Sequence, residues 1–201
     1  MVYGQTRSWA SPGGPERHCR ERRVKIRVGS VTTEEGFTEI VQWAFREMPE
    51  TLDALIVPED THRILQTVTE ELDPHATPLD LWASVEKAAR TEKQSLGSVM
   101  IEDGGGRGVK YLATVVVYDF EAEPICRREV VRAGLHAALT ELAKRDCQAV
   151  GVFPLGIMRG GISQQEYFAA VETSVASLGA QFPRTLYLLL PDAIAAVDLD
   201  G

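Results

Sequence analysis

Residues 149–163 read AVGVFPLGIMRGGIS, and this stretch decides the fold. An apolar run beginning at Ala149 gives way at Pro154 to a loop that contains three glycines. Ser163 and Glu166 then have the spacing of a capping box, which indicates the start of a helix. A buried strand, a glycine-rich loop and a capped helix in this order are typical of α/β proteins.

The C-terminal half continues the same alternation around this stretch. Two strand-like segments at 97–102 and 109–118 flank the glycine-rich link 103–108, a pattern that indicates a hairpin or looped turn. Pro124 is predicted to open the longest helix, and the apolar run at 185–190 is predicted to be a final buried strand.

The N-terminal half is predicted to alternate in a similar way. Thr32 and Glu35 have the spacing of another capping box, so a helix is predicted from there to Met48. The other predicted elements are a strand at 24–28, a buried strand at 53–58, and helices at 64–72 and 77–88. Together the elements predict a three-layer α/β/α sandwich with a mixed, largely parallel sheet.

The 201-residue length fits one domain, which we place at 24–201. Residues 1–23 differ in composition, with early glycine, proline and serine followed by several arginines. This zone is predicted to be a disordered basic tail, and the alternative is a basic arm that contacts an acidic surface or nucleic acid.

Composition excludes several classes of protein. A net charge of −8 argues against general nucleic-acid binding, because a phosphate backbone requires a positive surface. The three cysteines are scattered and lack Cys-x-x-Cys spacing, so no disulfide framework or metal site is predicted. They indicate reduced thiols and a cytoplasmic location. No apolar run approaches the roughly 18 residues of a membrane span, and no cofactor is predicted.

The loop after Pro154 is the main candidate for ligand binding. Glycines let the backbone turn and let a ligand approach closely, and free backbone N–H groups favour an anion such as phosphate. We therefore assign phosphate binding to Gly156, Ile157, Arg159, Gly160 and Gly161, with Arg159 also able to make a bidentate side-chain contact. The alternative is an ordinary connection, since the loop has neither a Rossmann nor a P-loop spacing.

Acidic residues provide the candidates for catalysis. Glu59, Asp60 and His62 follow a predicted strand, where a general base could lie. The alternative is that Asp60 or Thr61 caps the next helix while the other residues of this group are solvated. Asp103 is predicted either to line the same cleft as the Pro154 loop or to belong to a hairpin turn. No spacing indicates a catalytic triad, so the sequence favours a protein that is not an enzyme.

The C-terminal half resembles the macrodomain family over about residues 97–192. The resemblance rests on the segments 97–100, 110–117 and 132–143, the strand ending in Phe-Pro with its glycine loop, and the last strand 186–190. It implies a macrodomain fold in which the loop after Phe-Pro wraps the diphosphate of ADP-ribose. The chain is also similar to the macro-like N-terminal domain of leucyl aminopeptidases, where the fold serves packing and assembly.

One turn differs from the family pattern. Residues 57–62 read VPEDTH, where family members usually have an Asn-rich turn followed by glycines, and the two acids are expected to repel a diphosphate. Three functions therefore stay open. They are a module that binds ADP-ribose or a related nucleotide, a structural or interaction module that forms homo-oligomers or binds another protein, and a hydrolase of ADP-ribosyl or phosphate esters.

Overall fold

The computed structural model describes residues 26–33, 36–44, 49, 51–65, 86, 90, 92–105, 108–178 and 183–190. Its strands are β1 (Ile26–Thr33), β2 (Gly36–Ala44), β3 (Ala54–Asp60), β4 (Val99–Asp103), β5 (Tyr111–Tyr118), β6 (Ala149–Val152) and β7 (Thr185–Leu190). Its helices with defined bounds are α1 (Arg128–Ala143), α2 (Ile157–Gly160) and α3 (Gln164–Ser177).

The described strands form one sheet in the order β1-β2-β7-β6-β3-β5-β4. The inner pairs β2–β7, β7–β6, β6–β3 and β3–β5 are parallel, whereas the outer pairs β1–β2 and β4–β5 are antiparallel. Helix α1 connects β5 to β6, which lie on either side of β3, and helix α3 connects the neighbours β6 and β7. The two helices pack against each other. The prediction of an α/β fold with a mixed, largely parallel sheet is confirmed, as is the predicted β4–β5 hairpin.

The core lies on both faces of the central strands. All seven residues of β3 are buried, which is typical of a parallel strand covered on both sides. On one face, α1 packs Val131, Leu135 and Leu139 against the sheet in the main hydrophobic cluster. A smaller cluster on the other face includes Leu55 and Phe153, so β3 and the end of β6 are packed from two sides.

The helix predicted from Thr32 and Glu35 to Met48 is wrong, because residues 36–44 form β2. This strand pairs with β1 in a hairpin and with β7 on its other edge, and Ile40 and Val41 are both buried. A run rich in aromatic and β-branched residues suits a strand that is paired on both edges, and this tertiary context outweighs the local capping pattern.

Other boundaries shift or lie outside the described residues. The longest helix, α1, begins at Arg128 rather than at Pro124, because residues 119–125 form hydrogen-bonded turns first. The predicted capping box of Ser163 and Glu166 is confirmed at the start of α3. The tail 1–23 and most of the helices predicted at 64–72 and 77–88 lie outside the described residues.

Asp53 joins three strands at their amino ends. Its carboxylate accepts hydrogen bonds from the backbone N–H groups of Gln148 (2.8 Å) and Ala149 (3.1 Å) and from Nζ of Lys110 (2.8 Å). Its backbone carbonyl accepts the N–H groups of Lys110 and Tyr111. Partial burial alone would raise the pKa of Asp53, but these hydrogen bonds outweigh burial and hold that pKa below its usual value.

We predict that Asp53→Ala lowers the free energy of unfolding by about 2–3 kcal/mol, because it leaves the N–H groups of Gln148 and Ala149 without their acceptor. Lys110→Met is the matched control, and its exposed ammonium should contribute less than about 1 kcal/mol. Urea unfolding followed by circular dichroism measures both values. An Asp53→Ala variant as stable as the control would contradict the account of this junction.

Candidate functional site at the carboxyl edge of the sheet

Three neighbouring strands end together at one edge of the sheet. Ile56 of β3 lies opposite Val152 of β6, and Asp60 at the end of β3 lies opposite Tyr118 at the end of β5. Because these strands are parallel, the loops that follow them meet at this carboxyl edge. In open α/β sheets, ligands bind at such edges.

The loop between β6 and α2 is shaped by two glycines with positive φ. Gly156 caps α2 at its start with φ 84°, and Gly161 follows its end with φ 75°. A Cβ at Gly156 would come within 2.8 Å of Ile162 and 3.0 Å of the Sγ of Cys126, so packing as well as backbone conformation requires glycine. A Cβ at Gly161 would meet nothing within 4 Å, so that position faces open space.

Two buried tyrosines hold this loop in place. The hydroxyl of Tyr118, at the end of β5, accepts the N–H of Gly156 (3.1 Å). The hydroxyl of Tyr167, in α3, donates to the carbonyl of Phe153 (3.2 Å). Burial raises the pKa of Tyr118 to about 12 and also raises that of Tyr167, so both hydroxyls stay neutral at pH 7.

Sequence reasoning missed both tyrosines as site residues. Tyr118 is visible in the sequence only as the last residue of a predicted strand, and Tyr167 only as the residue that follows Glu166 of the predicted capping box. Their partners are 38 and 14 residues away along the chain. Hydrogen bonds between residues this far apart in the sequence depend on the order of the strands in the sheet. Local sequence patterns do not predict that order.

The outer side of the loop is open to solvent. Met158 is 57% exposed, and Arg159 is also exposed. Within the described part of the chain, no ion pair engages the Arg159 guanidinium. The five residues predicted to bind phosphate lie together in and around α2. The N–H of Gly156, however, points away from the open side, to the hydroxyl of Tyr118 beneath the loop.

Glu59 and Asp60 lie inside β3 rather than after it, and each is only 1% exposed. The expectation that Glu59 is solvated is wrong. The carboxylate of Asp60 accepts the N–H groups of His62 (2.7 Å), Ile64 (2.8 Å) and Leu65 (2.9 Å). These bonds fix the turn that follows β3. Most of the helix predicted to follow lies outside the described residues, so the capping of that helix stays a prediction.

Glu59 is a buried carboxyl group with one oxygen bonded and one unpartnered. Its Oε1 accepts the N–H groups of Asp60 (3.0 Å) and Leu65 (2.7 Å), whereas Oε2 has no hydrogen-bond partner in the described part of the chain. Burial, reinforced by the neighbouring Asp60, raises the pKa of Glu59 to about 8. Glu59 is therefore largely protonated at neutral pH, and the turn at 57–62 carries less negative charge than its sequence suggests.

An ionic network joins the loops after β3 and β5 with the segment before β4. Nζ of Lys93 lies 3.0 Å from Asp119 and 2.7 Å from Glu121, and Nε2 of His62 lies 3.6 Å from the same Glu121. The N–H of Gln94 also donates to the carbonyl of Thr61 (2.7 Å). His62, which was expected to be solvated, is thus half-buried within this network.

Asp103 lies at the opposite edge of the sheet. It pairs with Tyr111 at the start of β5, and Tyr111 pairs with Ala54 at the start of β3. The structure therefore does not bring exposed Asp103 to the cleft with the β6–α2 loop. Of the two alternatives for Asp103, the hairpin position agrees with this geometry.

The described residues contain no group of three or more His, Cys, Asp or Glu side chains arranged to hold a metal ion. They also contain no helix with both the length and the apolar character needed to cross a bilayer.

Several solved structures of macrodomains resemble this chain. A macrodomain of Oceanobacillus iheyensis with ADP superposes with a TM-score of 0.59 at 16% identity, over 82% of this chain and 88% of that one. The Trypanosoma brucei macrodomain in complex with ADP-ribose gives a TM-score of 0.54 at 13% identity, over 78% and 66%. The macrodomain of Mycobacterium tuberculosis DarG gives 0.54 at 16%, over 77% and 98%.

No family model matches the sequence, and no curated protein matches it. The structural likeness, at these low identities, establishes the fold. The chain has the macrodomain fold, as its C-terminal half predicted, and it carries a divergent sequence on that fold. The similarity to the leucyl aminopeptidase domain stays a prediction.

We predict that the stability of the protein depends on pH through Glu59. The pKa of Glu59 is raised in the folded state, so its carboxyl contributes its full stability at pH values below 4.5, the ordinary pKa. That contribution is lost as the pH rises through about 8. Each unit of difference between the pKa in the folded state and the ordinary pKa corresponds to about 1.4 kcal/mol in the free energy of unfolding. Thermal unfolding from pH 5 to pH 9 should show wild type losing stability relative to Glu59→Gln, and parallel curves would contradict this.

Proposed function

We propose that this protein binds ADP-ribose or a related nucleoside diphosphate at the carboxyl edge of the sheet, with the phosphates against the loop at 156–161. The observation that supports this most is the loop itself, which is fixed from beneath by Tyr118 and Tyr167 and open on its outer side at Gly161. A rigid loop binds with little loss of conformational freedom, so its N–H groups are set before the ligand arrives.

The charges of the loop also suit an anion. Arg159 is an exposed guanidinium within the loop, and such a group can make two parallel hydrogen bonds to phosphate oxygens. Gly156 is proposed to shape the loop rather than to donate to phosphate, because its N–H is bonded to Tyr118. Phosphate contact is thus assigned to Ile157, Arg159, Gly160 and Gly161.

The turn at 57–62 does not oppose this binding as its sequence suggests. Glu59 is largely neutral at pH 7, and Asp60 directs its carboxylate to three backbone N–H groups. Neither acid is exposed to an incoming diphosphate. Because these contacts hold the turn in place, the two carboxyl groups have a structural role, and we propose that the protein binds its ligand without hydrolysing it.

The solved relatives support the choice of ligand. One macrodomain with this fold holds ADP, and another is in complex with ADP-ribose. This favours a nucleoside diphosphate over inorganic phosphate alone. A cytoplasmic location and the formation of homo-oligomers stay predictions from the sequence.

We predict that Arg159→Ala weakens ADP-ribose binding by about tenfold or more, because a charge-assisted hydrogen bond contributes about 1.5–3 kcal/mol. Arg184→Ala is the matched control, since Arg184 is exposed and precedes β7 at the opposite edge of the sheet. Isothermal titration calorimetry measures the three affinities.

Unchanged affinity in Arg159→Ala would remove that side chain from the site. If wild type shows no heat with ADP-ribose, ADP or NAD at millimolar concentration, the proposed function itself is contradicted.

A further inference from the structure

Two buried acids at the end of β3 share one backbone donor. The N–H of Leu65 donates both to Oε1 of Glu59 (2.7 Å) and to Oδ2 of Asp60 (2.9 Å), and each acid is only 1% exposed. Oε2 of Glu59 is shielded from bulk solvent and has no hydrogen-bond partner in the described part of the chain. This pair accommodates one negative charge far more readily than two, because adjacent carboxylates in a low-dielectric interior repel each other strongly.

The turn that these acids hold is bonded to the strand beneath the proposed phosphate loop. The N–H of Thr61, a residue that is also buried, donates to the backbone carbonyl of Tyr118 (2.9 Å). The hydroxyl of the same Tyr118 accepts the N–H of Gly156 at the start of α2 (3.1 Å). Two hydrogen bonds thus connect the turn after β3 to the loop that is proposed to contact the ligand.

A second contact holds the turn from the segment before β4. The N–H of Gln94 donates to the carbonyl of Thr61 (2.7 Å). Next to Gln94, Nζ of Lys93 lies 3.0 Å from Asp119 and 2.7 Å from Glu121, in the loop after β5. The turn is therefore held between the segment before β4 and the end of β5, and a displacement of the turn would disturb both contacts.

Ionisation of Glu59 would disrupt this arrangement. Burial, reinforced by the neighbouring Asp60, raises the pKa of Glu59 to about 8, so the proton is lost in mildly alkaline solution. A charged Oε2 would then lack a donor, and an unpaired buried charge is costly unless it reaches water. Opening of the turn relieves that cost, and it releases the N–H of Leu65 and the bond between Thr61 and Tyr118.

We propose that Glu59 is a positioning residue whose protonated form holds the turn against Tyr118, so that the protein binds ADP-ribose in a proton-dependent way. This inference rests on the proposed function. Because the side chain of Glu59 is buried, it acts on the β6–α2 loop through Thr61 and Tyr118 and does not touch the ligand.

Other titratable and charged groups surround this turn. Those on the described elements are Asp60, His62, Arg63, Lys93, Glu102, Tyr118, Asp119 and Glu121. Contacts with Lys93 hold the pKa of Asp119 and that of Glu121 below their usual values, and burial raises the pKa of Tyr118 to about 12. His62 requires a control variant, because an imidazole is the side chain that most readily changes charge near neutral pH.

The test measures the affinity for ADP-ribose by isothermal titration calorimetry from pH 7 to pH 9, a range in which its diphosphate keeps the same charge. Wild type should lose about tenfold in affinity, because the protonated fraction of Glu59 falls to about a tenth one unit above its pKa. Glu59→Gln stays uncharged, so its affinity should lie within about twofold of the wild-type value at pH 7 and persist at pH 9. His62→Gln, the matched control in the same turn, should lose affinity as wild type does.

Constant affinity of wild type over this range, or a Glu59→Gln variant that loses affinity like wild type, would overturn the positioning role and leave the proposed function intact. Absence of ADP-ribose binding at every pH would overturn both. Circular dichroism should show that wild type stays folded throughout, and global unfolding in the same interval would also overturn the inference.

The wild-type protein alone provides a second measurement, which decides the matter even if Glu59→Gln fails to fold. In ¹H–¹⁵N spectra of the free protein, the amide signals of Thr61, Leu65 and Gly156 should move together with one midpoint near pH 8. Signals of Thr61 and Leu65 that titrate while Gly156 stays fixed would contradict the proposed connection to the loop.

Discussion

The parallel register of β3, β5 and β6 is the constraint on which the site depends. Because Ile56 lies opposite Val152 and Asp60 opposite Tyr118, the three strands end at one edge and their loops converge there. Asp53 fixes the same register from the amino ends through its bonds to β5 and β6. A slip of one residue would turn side chains such as Tyr118 to the other face of the sheet.

The site combines a buried support with an open surface. Tyr118 contacts both, since its hydroxyl bonds to the loop after β6 and its ring stacks against the exposed ring of Phe120. Glu59 and Asp60 hold the turn after β3 without exposing charge. Their burial explains how two acids can occupy a turn where the family usually has asparagine while the edge remains suited to an anionic ligand.

The sequence predicted the C-terminal half well, because its periodicity, turns and capping residues all indicate the same elements. The strands at 111–118 and 185–190 and the helix capped by Ser163 are examples. It failed at residues 36–44, where pairing on both edges decides the structure. The burial of Glu59 and the contacts of Tyr118 could not be predicted from the sequence either, because both depend on residues that become neighbours only in the assembled sheet.

The central claim is that the loop at 156–161 contacts the ligand from its outer side. The most direct measurement is a two-dimensional ¹H–¹⁵N NMR titration of the protein with ADP-ribose. The account predicts that the amide signals of Ile157, Arg159, Gly160 and Gly161 shift most, while that of Asp103 at the opposite edge does not move. Binding that leaves these loop amides unshifted, or that moves the amino edge instead, would contradict it.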